Sequence, residues 1–134
     1  MEKGYIFVYG TLKVGGYFAL QFDEYRISSI PATAKGTMYE ASGWFPAVIF
    51  DDEREVIGEL HEYEDIDRVL RYLDYIEGCD PEGGSQNLYN RHIVEVTTEN
   101  GDLVKAHTYE YNRETEDLKI RESGIWPIKE ENTI

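Results

Sequence analysis

A single cysteine, Cys79, stands in this 134-residue chain, so no intrachain disulfide forms and no cysteine framework holds the fold. Stability must come from a buried core, and a reducing cytoplasm suits such a chain. Basic residues are scarce: 13 Lys and Arg against 27 Asp and Glu leave a formal net charge of −14. A field of that sign repels phosphate backbones and anionic lipid heads, and no basic patch interrupts it, so no nucleic acid or membrane partner is expected. No window approaches the roughly 18 consecutive apolar residues a membrane-spanning helix needs. Met1-Glu2-Lys3-Gly4 runs directly into a strand-like segment, without the apolar stretch and small-residue cleavage site of an export signal. His61, His92 and His107 fall in strand-like segments without a second His or Cys at ligand spacing, which argues against zinc and reads them as surface or pairing residues. A Gly-x-Ser-x-Gly elbow is also missing, so a serine hydrolase of that type is not expected.

What is present points to one sheet-rich domain spanning 1–134. A hydrophobic content of 41% is enough to bury one core in a chain of this length. Eleven tyrosines favour half-buried pleated surfaces over helices. No repeat, low-complexity tract or linker divides the sequence.

Tyr5-Ile6-Phe7-Val8-Tyr9 is a compact run ending at Gly10, as a buried strand does on reaching a turn. A short helix over 17–25 is expected next, then strand-like pieces at 26–29 and 33–39, and a short strand at 47–50. Asp51-Asp52-Glu53 makes a turn. Across 56–61, Val56, Gly58 and Leu60 alternate against Ile57, Glu59 and His61, which is strand periodicity. The main helix is predicted over 65–77, with an acidic first turn and Gly78 as its stop. Residues 79–86 read as a surface loop, and 89–97 and 103–111 as strands joined at Asn100-Gly101, a strong hairpin signal. The tail from Asn112 is mostly polar, with Ile125, Trp126 and Ile128 among its few apolar residues, and its last few residues are expected to be disordered.

The helix supplies the first candidate for chemistry. At about 100° per residue, Ile66, Val69, Leu70 and Leu73 form an apolar stripe, and Glu77 lies about 20° from Leu70 on that stripe. Asp74 lies nearer the stripe's edge, and Asp67 and Glu64 turn outward. An inward carboxyl has a raised pKa, which suits it to shuttle protons near neutrality. Three placements stay open for Glu77: inward and catalytic, outward at a frayed helix end, or in a buried ion pair with Arg71 or Arg91.

The second candidate is Tyr9-Gly10-Thr11-Leu12-Lys13. A glycine at a strand end lets backbone approach a ligand, and amides exposed by the turn form a small anion-binding concavity; an ordinary tight turn is the other reading. Gly16 and Tyr17 stand where a phosphate loop needs Lys and Ser or Thr, so nucleotide binding is not expected. Cys79 lies in an acidic, glycine-rich loop that keeps its thiol protonated, so it reads as incidental rather than nucleophilic.

Together these segments bring a family into view. Phe7-Val8-Tyr9-Gly10-Thr11-Leu12-Lys13 resembles the signature strand and loop of the gamma-glutamylcyclotransferase-like (AIG2-like) proteins, and Leu73-Asp74-Tyr75-Ile76-Glu77-Gly78 followed by Leu88-Tyr89-Asn90-Arg91 resembles their catalytic glutamate region. Gly36-Thr37-Met38-Tyr39, Gly43-Trp44-Phe45-Pro46-Ala47-Val48, Val56-Ile57-Gly58-Glu59-Leu60-His61 and Ala106-His107-Thr108-Tyr109 look like further landmarks in the right order.

The resemblance implies an α+β fold, a mixed β-barrel flanked by a few helices, with the active site at one mouth. It implies that Tyr9, Gly10, Thr11 and Leu12 bind substrate, the loop amides holding the glutamyl alpha-carboxylate, and that Glu77 acts as acid and base in cyclising a gamma-glutamyl amine or peptide to 5-oxoproline. The partner is then that small molecule, and no metal or organic cofactor is needed. Tyr89 and Tyr109 are pocket candidates or, equally, barrel-wall residues. A non-catalytic binding module keeping the same fold is the alternative. The sequence departs from the pattern in one place: many relatives carry an aromatic residue directly before the glutamate, where this chain has Ile76, with Tyr75 one position earlier.

Overall fold

The computed structural model of the chain describes residues 3–10, 13, 23–41, 45–79 and 87–127. Its strands are β1 (Gly4–Val8), β2 (Arg26–Lys35), β3 (Thr37–Ala41), β4 (Phe45–Ile49), β5 (Glu55–Tyr63), β6 (Tyr89–Thr98), β7 (Leu103–Tyr111) and β8 (Lys119–Ile120), and helix α1 (Ile66–Ile76) lies between β5 and β6. Strands β1-β5-β2-β6-β7 close into a barrel, and β4-β3-β8 form a separate three-stranded sheet. Closure is mixed in sense, because β1 runs parallel to β7 at Ile6 and His107 and antiparallel to β5. The expected α+β barrel is therefore the observed architecture.

Alternation along β1 divides the core. Phe7 and Tyr9 gather with Ala32, Ala34, Val56, Leu60, Val96 and Ala106 from the other barrel strands, joined by Met38, Val48 and Trp126. Ile6 and Val8 point the other way and pack with Tyr63 against α1. That helix presents Ile66, Val69, Leu70 and Leu73, each worth about 1.5–3 kcal/mol on burial.

Strand β2 is longer than the two expected pieces, running without a break through Pro31. It pairs with β5 along most of its length but with β6 only at Ala32 and Thr33, so Pro31 meets a neighbouring strand on one side, as proline in a sheet requires. The expected 33–39 piece splits at Gly36 between β2 and β3. Strand β4 begins earlier than expected and contains Pro46, which its edge position tolerates. The β6–β7 hairpin turns at Gly101 with φ 88°. Of the helix expected over 17–25, only the 3-10 turn Asp23–Tyr25 falls among the described residues. The tail beyond 127 lies outside them.

Both ends of α1 are set by local chemistry. The Asp65 carboxylate caps the amino end by accepting the Arg68 N–H at 3.4 Å. At the other end Gly78 is left-handed, with φ 65°; its N–H donates to the Tyr75 carbonyl at 3.3 Å, and the Cys79 N–H donates to the Asp74 carbonyl at 2.7 Å. That pair of bonds is a Schellman closure, and it places Glu77 at the C-cap. A Cβ on Gly78 would meet nothing nearer than Leu88 Cβ at 3.5 Å, so only backbone conformation resists substitution there. Gly78→Ala is expected to lower stability by about 1 kcal/mol, read as a shifted urea midpoint at unchanged slope.

Candidate active site

The end of α1 and the end of β1 meet at one cavity of about 250 Å³, lined by Ile6 to Gly10, Phe45, Pro46, Ile76, Glu77, Leu88, Tyr89, Thr108, Tyr109 and Trp126. Five of the seven residues proposed from sequence thus share a single site: Glu77, Tyr9, Gly10, Tyr89 and Tyr109. The other two, Thr11 and Leu12, lie outside the described residues. At the departure from the pattern, Tyr75 is 87% exposed while Ile76 and Glu77 line the cavity.

Glu77 keeps some solvent contact through the cavity mouth, but protein crowds its carboxyl, and burial pushes the pKa from near 4.5 to about 7. Its position at the negative end of α1 also disfavours an anion. The ion pair considered for it is made by a neighbour: Arg91 Nη1 contacts both Asp74 oxygens, at 3.1 and 3.3 Å. Asp74, placed near the stripe's edge by the helical wheel, is in fact buried.

The tyrosines are anchored through their hydroxyls. Tyr9 donates to the Tyr109 carbonyl at 2.5 Å, Tyr109 to Asp74 Oδ1 at 2.6 Å, and Tyr89 to the Pro46 carbonyl at 2.5 Å. Burial, as the first cause in each, raises all three pKa values, and the Glu77 charge raises each of them further. They therefore stay protonated, and their rings form a fixed wall around the acid. Phe45 and Tyr111 extend that wall beside Tyr89, with ring centroids 6.4 Å and 5.6 Å from it.

Gly10 closes the β1 side. A Cβ there would lie 2.9 Å from Pro46 Cγ, so the strand end passes Pro46 only as glycine. Beyond it, the Lys13 N–H donates to the Gly10 carbonyl at 3.1 Å.

The Asp74 anchor was not legible as functional in the sequence, yet it ties α1 to β6 and β7 directly beneath the cavity. Asp74→Ala leaves the Arg91 guanidinium and the Tyr109 hydroxyl without this partner, and a loss of about 2 kcal/mol is expected, measured by urea unfolding.

Two sequence readings need correction. His61 is fully buried, its ring nitrogens meeting the Tyr63 hydroxyl at 2.8 Å and Glu59 Oε1 at 2.9 Å, so of the two readings, surface or pairing, the surface one is wrong. Cys79 is buried with the α1 core rather than on a surface loop, because the Schellman closure turns the chain back inward. Trp126, in the mostly polar tail and not singled out by the sequence, is 1% exposed and lines the site. Residues 80–86 lie outside the described residues. Among the described residues, no three His, Cys, Asp or Glu side chains converge as ligands for an ion, and no helix is long and apolar enough to cross a membrane.

A closed mixed barrel carrying one helix is the fold of solved AIG2-like structures. The chain resembles an AIG2-like protein from Mus musculus with a TM-score of 0.70 at 23% identity, covering 98% of this chain and 99% of that one. It also resembles YkqA from Bacillus subtilis, with a TM-score of 0.67 at 23% identity; that match covers 93% of this chain but only 40% of YkqA. In sequence, the chain is 29% identical over 109 residues to the gamma-L-glutamyl-butirosin B gamma-glutamyl cyclotransferase of Niallia circulans, covering 81% of this chain and 67% of that protein. The chain belongs to the gamma-glutamyl cyclotransferase, AIG2-like family, whose pattern it matches over residues 6–127.

Proposed function

We propose that the protein is a gamma-glutamylcyclotransferase, working as a single domain in the cytoplasm on a small gamma-glutamyl amine or peptide. The observation that carries this reading is the shared cavity of Glu77 and Gly10, with the Glu77 pKa near neutrality. The glutamyl alpha-carboxylate binds at the amides of the loop beginning at Gly10, a turn of the kind that gathers N–H groups. Glu77 then takes a proton from the alpha-amine, whose nitrogen attacks the gamma-carbonyl carbon of the same molecule. The proton passes to the departing nitrogen as the amide bond breaks, leaving 5-oxoproline and the free amine.

Ring closure is intramolecular, so holding amine and carbonyl in reach supplies much of the acceleration. One acid with a pKa near 7 serves both proton transfers. The cavity holds roughly eight waters at about 30 Å³ each, room for a glutamyl group with the remainder of the substrate at the mouth.

The test is direct: the protein is incubated with a panel of gamma-glutamyl amines and dipeptides while 5-oxoproline is followed. Turnover of at least one member is expected. No 5-oxoproline from any would favour a binding module and sink the catalytic reading.

A further inference from the structure

Among the described residues of the cavity wall, those that keep solvent contact mark its mouth: Gly10, Phe45, Ile76, Glu77 and Leu88. On the cyclotransferase reading, the glutamyl group takes Gly10 and Glu77, so the amine half of the substrate is left with the other three. All of these are apolar and pack against the same core cluster. Phe45 also belongs to a group of three rings, its centroid 6.4 Å from those of Tyr89 and Tyr111, which are 5.6 Å from each other.

This side of the mouth offers little to a charged group. Glu77 is the only Asp, Glu, Lys, Arg or His among the lining residues. The hydroxyls of the wall spend their protons on the protein: those of Tyr9, Tyr89 and Tyr109 as described above, and Thr108 Oγ1 on the Phe7 carbonyl at 2.9 Å. Of the 13 Lys and Arg in the chain, only Lys129 lies outside the described residues, and none of the others lines the cavity. Arg91 is held by Asp74, and Arg113 donates to the Asn87 and Asn112 carbonyls. A carboxylate here would face the Glu77 charge and the field of an acidic chain with no cation on the wall. A second ammonium would shed its water against three apolar side chains. A ring or branched alkyl group instead covers apolar surface and can meet Phe45 edge to face.

Resting on the cyclotransferase reading, we propose that Phe45, Ile76 and Leu88 form the leaving-amine subsite, and that the substrate is the gamma-glutamyl amide of an amine whose aromatic or branched alkyl tail carries no second charge.

The test compares substrates. kcat/KM for gamma-glutamyl-phenethylamide should exceed that for gamma-glutamyl-ethylamide about 30-fold, within the range for discrimination by an apolar pocket. It should exceed those for gamma-glutamyl-glycine and the mono-gamma-glutamyl amide of 1,5-diaminopentane by about 100-fold. Phe45→Ala and Leu88→Ala should each cut the phenethyl-over-ethyl preference to below about fivefold. They lie on separate segments of the chain, so if one variant fails to fold the other is read.

A readout without turnover uses glutaric acid monoamides, which lack the alpha-amine and cannot cyclise. By calorimetry, glutaryl-phenethylamide should bind the wild-type chain about tenfold more tightly than glutaryl-ethylamide, an advantage that Phe45→Ala removes. Equal affinities or no binding of either monoamide, faster turnover of the glycine or diaminopentane substrate, or a preference unchanged in the variants overturns the subsite. If the wild-type chain turns over no gamma-glutamyl amide, the cyclotransferase reading fails, and the monoamides still decide whether the mouth holds an apolar tail.

Discussion

Replacing Glu77 by Gln is expected to lower kcat/KM for a gamma-glutamyl amine by about 10³-fold, within the range for losing a general acid–base group. The wild-type profile should rise with pH and level off above about 7, as Glu77 ionises in the free enzyme. The same substitution should make the protein more stable. A carboxyl whose pKa rises on folding binds more protons folded than unfolded, so its contribution to stability is fully present below about 4.5 and is lost as pH rises to about 7. The shift corresponds to roughly 3 kcal/mol, and water entering at the mouth reduces this to about 2 kcal/mol. Thermal melts of Glu77→Gln and wild type should therefore coincide near pH 4 and separate above pH 7, with the variant higher. Equal melting temperatures at pH 8 would show that the carboxylate is solvated and that its burial does not tune it.

Trp126→Ala, by contrast, should be among the most destabilising single changes. The side chain is 1% exposed, packs with the barrel core and carries Arg121 over its ring. Truncation of a buried tryptophan costs about 3–5 kcal/mol, a large share of the roughly 5–15 kcal/mol that holds a domain together. Urea unfolding measures it, and a loss below about 1 kcal/mol would mean that the segment is not part of the core. Because Trp126 also lines the cavity, variant protein that remains folded should bind substrate less well.

The sequence makes the helix, the hairpin and the catalytic candidate readable because each carries a local signal: a stripe with a glycine stop, an Asn-Gly turn, and an acid on the stripe. Residues whose environment comes from distant chain were harder to place. The alternation that sets Val56, Gly58 and Leu60 on one face of β5 holds, and Val56 and Leu60 are buried there, but nothing near His61 in the sequence reveals that it is buried as well. Asp74 looked marginal on a wheel because the wheel knows the helix and not Arg91 or Tyr109, which arrive from β6 and β7. Trp126 gave a signal, a large aromatic in a mostly polar stretch, but the core cluster it joins is drawn from strands β1 to β7. The family resemblance reached the architecture that composition left at "sheet-rich", since barrel closure depends on pairings no local pattern encodes.

Those distant pairings have a consequence in time. Ile6 takes its partners from His61 and His107, and the cavity uses residues from Ile6 to Trp126. During synthesis at about 5–20 residues per second, a growing chain carries Glu77 for roughly 2–10 s before Trp126 is added. Until β7 ends at Tyr111 β1 has no barrel to close, and until Trp126 is added the wall around Glu77 is incomplete. The chamber that raises the Glu77 pKa is thus among the last parts of the molecule to assemble, once nearly the whole matched segment has been made.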